Sequence, residues 1–199
     1  MAELVLRDPK ESQRGPKRAA LFTAAGGAYR HAFTKATSSP YGPSSYDRES
    51  SETRKTLAVL VTEEISEFFM ALDVWAKGYV ALHSKRLLGQ KLSEEQVAGV
   101  YVSCLKKRAD CPDLARLKIN MAEPRVCRFW NKAREPTPPP GSWEDLRVKM
   151  QVHLSHLWIM GSGAQVECGL MCVVEHAMVL PQVCECPAML VDDDDESPE

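Results

Sequence analysis

Between Thr56 and Leu88, the residues Leu57, Val61, Ile65, Phe68, Leu72, Trp75, Tyr79 and Leu82 recur at intervals of three and four, the spacing that aligns one face of an α-helix. A second row, Phe69, Ala76 and His83, widens this face beyond the narrow seam of a two-stranded coiled coil, and Glu63, Ser66, Asp73 and Lys77 fall opposite. A helix of this length reaches about 50 Å and must bury its stripe against the rest of the chain. The pattern predicts a core-forming helix around which the remainder packs. Gly78 is its weak interior point, at about 1 kcal/mol relative to Ala. Gly89, preceded by Lys85 and Arg86, marks its end.

Further helical signals follow. Ser93 to Gln96 has the form of a capping box with Leu92 and Val97 as its hydrophobic staple, opening a helix with Val97, Val100, Tyr101, Cys104 and Leu105 on one face. Pro112 and Pro124 stand where first-turn prolines belong and predict short helices over 112–121 and 124–133. Glu135 to Gly141, rich in proline, reads as a stiff linker. Ser142 and Asp145 open another helix carrying Leu146, Met150, Leu154, Leu157 and Trp158. From Ala164 to Leu180 the chain is apolar almost all round, which predicts burial; a helix is expected, with β-strand the alternative for Met171 to Val174.

The expected fold is an all-α bundle of five or six helices. Its divisions are a disordered basic arm over 1–54, a helical lobe over 55–134 built on the long helix, the linker over 135–141, a second helical lobe over 142–190 and a disordered acidic tail over 191–199. The arm is broken by Gly15-Pro16, Gly26-Gly27 and the run Ser38 to Ser45, and its Lys and Arg outnumber its Asp and Glu. The overall net charge is −2 and the chain is 44% apolar, so no global attraction to a polyanion or a bilayer follows. No apolar run is long enough to span a membrane, Glu167 and Glu175 interrupt the longest one, and Met1 to Arg7 lack a secretory h-region. A cytoplasmic or nuclear setting is expected, with the seven cysteines as reduced thiols.

No phosphate loop, His-Glu-x-x-His, Gly-x-Ser-x-Gly or Cys-x-x-Cys motif is present, so catalysis and a resident cofactor are not expected. The expected function is a non-catalytic helical protein–protein interaction protein, an adaptor or complex subunit, with Phe129, Trp130 and Trp143 as candidate partner-binding residues. The alternative, viral origin among its options, is a nucleic-acid-binding regulatory or structural protein that uses Arg14, Lys17, Arg18 and Arg30, interleaved with Phe22, Tyr29 and Phe33. A weaker alternative is a zinc-stabilised interaction module. If 164–180 is helical, Cys168, Cys172 and His176 share a face at i, i+4 and i+8, and Cys184 and Cys186 follow in a turn.

Overall fold

The computed structural model describes residues 3–11, 15–44, 54–123, 126–143 and 146–181. In chain order the elements are β1 (Leu4–Leu6), β2 (Lys17–Thr23), β3 (Tyr29–Ala32), β4 (Thr37–Ser38), β5 (Pro43–Ser44), β6 (Arg54–Leu60), α1 (Glu63–Leu82), α2 (Ser84–Leu88), α3 (Glu94–Val100), β7 (Leu105–Lys106), β8 (Leu114–Asn120), β9 (Arg128–Trp130), β10 (Pro136–Thr137), β11 (Leu146–Met160) and β12 (Glu167–Pro181). The chain is therefore mostly β, and the all-α bundle expected from the sequence is overturned. So is the disordered arm: between residues 4 and 44 the chain forms five strands of the same sheet.

The physical reason is period. In β11 the sequence Val148-Lys149-Met150-Gln151-Val152-His153-Leu154 alternates strictly, and Val148, Met150, Val152 and Leu154 are all buried. In β8 the alternation Ala115, Leu117, Ile119 faces the core while Arg116, Lys118 and Asn120 face outward. Of the expected helix over 124–133, only the strand β9 and a tight turn appear among its described residues. Asn131 hydrogen-bonds Glu135 through both main chain and side chain, and Pro136–Thr137 then return along Phe129 and Trp130. The proline-rich stretch thus begins inside the sheet.

The long antiparallel pair β11–β12 is the spine. The other edge of β11 takes up β4, β3 and β2 in succession, and β1 pairs with β2. Beyond β12 lie β8, running parallel to it, then β6 and β5. Two hydroxyls tether the β4 segment, on the edge of β11, to β6: Thr37 Oγ1 donates to the Leu60 carbonyl (2.6 Å) and Ser39 Oγ to the Ala58 carbonyl (2.8 Å).

The helix reading survives best at α1. It starts at Glu63 instead of Thr56, because Leu57 and Val59 belong to β6 and Thr62 caps the helix by accepting from the Ile65 amide. Ile65, Phe68, Phe69, Leu72 and Ala76 of the expected stripe are buried, as is Val80, which lay outside it, while Leu82 at its end is exposed. The Glu64 carboxylate accepts from the amides of Thr34 (2.8 Å) and Lys35 (3.0 Å), locking α1 to the turn after β3. The capping box of α3 is formed by Ser93 and Gln96, and α2 ends at a left-handed Gly89. No helix among the described residues is long and apolar enough to cross a membrane.

Candidate functional site

Alternation gives this sheet an outward face that is unusually cationic, and the registers place its residues in rows. One row runs Arg30, His153, Val173, Lys118, Thr56 and Ser44 across β3, β11, β12, β8, β6 and β5. Beside it, Arg18 lies opposite Trp158, Arg54 opposite Asn120, and Arg128 opposite His176.

Two irregularities hollow this face. Between Leu154 and His156 the pairing skips Ser155, and between Val174 and His176 it skips Glu175. Each is an extra residue in one strand, and such bulges bend the ladder and re-aim neighbouring side chains. Both line one groove of about 640 Å³, together with Arg18, Arg30, Arg54, Arg128, His153, His156 and His176. The carboxylates on its lining are Glu123 and Glu175. Glu175 is engaged from two sides, by Arg30 Nε (2.6 Å) and His153 Nδ1 (3.4 Å).

The remaining cations crowd each other. Burial holds the Arg54 guanidinium below its ordinary pKa, and Arg18 pushes the same way; Arg54 Nε is buried without a hydrogen-bond partner among the described residues. Burial, then Arg54 and Arg116, lower Lys118, whose Nζ donates to Thr56 Oγ1 at 2.7 Å. His156 is pushed down to about 4 by burial first and then by Arg18, Arg54 and His153. It is therefore neutral at physiological pH, with Nδ1 2.9 Å from Ser155 Oγ. An orphaned buried donor and three groups lowered by burial first and by neighbouring cations second describe a site short of negative charge. At the groove's edge Trp130 lies nearly parallel to His176, ring centres 5.9 Å apart, and its Nε1–H donates to His176 Nδ1 (3.1 Å).

The structure sorts the residues singled out from the sequence. Arg18 and Arg30 both line the groove. Lys17, the next residue along β2, is paired with Glu11 (3.0 Å) in solvent. Arg14, Cys184, Cys186 and the acidic tail lie outside the described residues. Phe129 is buried against Trp143, which packs on Gly42, while Trp130 sits at the groove, so these three aromatics do not share one surface. The proposed metal ligands are not brought together. In a strand, Cys168 and Cys172 stand roughly 13 Å apart, both buried in the core, and the bulge at Glu175 turns His176 to the outer face. Among the described residues no group of three or more His, Cys, Asp or Glu is placed to hold a metal ion. Sequence reasoning missed Arg54 and Lys118 altogether and placed Arg128, His153 and His156 on helices; period-2 alternation in 114–120 and 148–154 was the signal that could have found the outward rows.

No protein-family model matches the chain, and no curated protein matches it in sequence. Among solved structures, the single-stranded DNA-binding protein from bacteriophage Enc34 in complex with ssDNA is similar over 88% of this chain and 95% of that one, at 10% identity and a TM-score of 0.43. The same phage protein in a second structure gives 0.42, over 89% of each chain, and its C-terminal truncation gives 0.44, over 88% and 95%, both at 10% identity. Likenesses this loose identify neither fold nor function.

Proposed function

We propose that this protein binds single-stranded nucleic acid, without catalysis, in the groove on the outer face of its sheet. The observation that carries this reading is the convergence of Arg18, Arg30, Arg54 and Arg128 on one concavity whose carboxylates are outnumbered. A phosphate backbone supplies the missing negative charge at regular spacing, and release of its counterions supplies affinity. The Trp130–His176 pair supports a single strand over a duplex, because flat rings beside a basic groove stack on bases that a duplex keeps paired. The Ser155–His156 contact does not argue for hydrolysis: a histidine titrating at about 4 is a poor base at neutral pH.

The test is binding of a labelled oligothymidylate over a range of salt. The wild-type chain should bind it in preference to a duplex of equal length, and the Arg18→Ala, Arg30→Ala, Arg128→Ala triple variant should lose roughly 2 from the slope of log affinity against log salt, at about 0.7 per phosphate contact. An unchanged slope and affinity in the triple variant would remove the groove from the reading.

A further inference from the structure

Next to the groove is a second depression of about 320 Å³ with a different character. Its walls are largely apolar, with Trp158, Met171 and Leu114 among them and Tyr41, 66% exposed, at its mouth. Among the described residues its charged lining residues are Arg116 and Lys118, and no carboxylate lines it. Trp158 packs over Gly169: a Cβ there would come within 2.8 Å of the indole and 2.5 Å of the Val102 carbonyl, so glycine alone permits this seat. The indole is in register with Arg18 of the groove, and Lys118 with Val173, which lines the groove. The two depressions thus adjoin across two rows of the sheet.

An apolar slot with one indole and two cations fits a flat aromatic group joined to an anion. We infer that this slot holds one unpaired base of a strand whose neighbouring nucleotides occupy the groove, the base against Trp158 and its phosphate toward Lys118 and Arg116. This rests on the single-strand reading of the groove and adds to it a second, separate contact. It makes the footprint longer than the groove and makes affinity depend on strand length.

The experiment compares oligothymidylates of increasing length on wild type, Trp158→Ala and Trp158→Phe, with a 5-iodouracil version for photocrosslinking. For strands long enough to reach the slot, Trp158→Ala should bind about 5- to 150-fold more weakly, the worth of one stacked base. Trp158→Phe should retain most of the affinity. Short strands that fill only the groove should bind all three proteins alike, and the salt slope should not change. Crosslinks on the wild-type protein should include Trp158 or Tyr41; this arm needs no variant to fold. Equal binding of long strands by wild type and Trp158→Ala, with crosslinks confined to Trp130, would overturn the slot and leave the groove. Failure of the wild-type chain to bind any oligonucleotide at low salt would overturn both.

Discussion

The two faces of the β11–β12 hairpin are made by the same thirty residues yet obey different rules. On the inner face Val148, Met150, Val152, Leu154, Cys168, Leu170, Cys172 and Val174 are buried and apolar, and they share one core with residues of α1 and of the other strands. On the outer face His153, Ser155, Glu175 and His176 join arginines from four other strands, and charges of one sign are held close together. Apolar burial stabilises in proportion to area. Crowded cations oppose folding and become favourable only when an anion arrives. One strand pair therefore separates stability from the proposed binding by the parity of its residues, and the bulges at Ser155 and Glu175 are where that parity is broken to make the concavity.

The sharpest test of this division is also the largest effect. Leu154→Ala removes a fully buried side chain from the inner face and should cost about 2–5 kcal/mol, read as a fall in melting temperature and in denaturation midpoint. Below its melting transition the variant should bind oligonucleotide as the wild type does. A variant that keeps its stability, or that folds but loses binding, would show that the two faces are not separable.

The same parity explains what could be read from the sequence. Helix α1 was legible because most of its apolar residues follow a single period with Ser, Glu, Asp and Lys between them, though its start at the Thr62 cap was not read. In 146–160, Leu146, Met150, Leu154 and Leu157 also fit a helical spacing, and reading them that way passed over Val148 and Val152, which belong only to the period of two. In 167–181 the outer positions Gly169, Met171 and Val173 are as apolar as the inner ones, so no period was visible. The N-terminal strands are short and glycine-broken; their order comes from the edge of β11 and is absent from their own composition. The groove was legible only in part. Arg18 and Arg30 stood out as basic residues among aromatics, whereas Arg54, Arg128, His153 and His156 meet them only because β6, β9 and β11 share one sheet.

A second test uses acid. His156 titrates at about 4 when folded and near 6.5 when unfolded, so well above the unfolded value it is neutral in both states and contributes no pH dependence. As pH falls below about 6.5 the unfolded chain takes up a proton that the folded chain refuses, and stability declines until about pH 4. The loss is on the order of 3 kcal/mol across that window. His31, lowered by burial against the opposing pull of Glu64, acts in the same direction. Equilibrium unfolding from pH 7 to pH 4 should show this slope, and His156→Gln should flatten most of it. An unaltered slope in His156→Gln would mean that neither burial nor the groove's cations hold this histidine down.

The smallest expected effect has the opposite sign and decides most directly whether the outer face is built for binding at the expense of the free fold. Arg54 enters the groove at the start of β6, its Nε buried and unpartnered among the described residues, its charge opposed by Arg18 and itself lowering Lys118. Arg54→Met keeps an aliphatic stem of similar reach and removes the guanidinium. Replacing an uncompensated, partly buried charge in this way should raise stability by about 1 kcal/mol, which for a chain of 199 residues is roughly 2–4 °C in melting temperature. The same variant should bind oligonucleotide more weakly and with a salt slope reduced by about 0.7. Saturating oligonucleotide should then protect the wild type against heat more than it protects the variant, because only the wild type has that repulsion to relieve. A melting temperature that falls in Arg54→Met would place Arg54 among the groups that hold the sheet together and would erase the contrast between its two faces at this position.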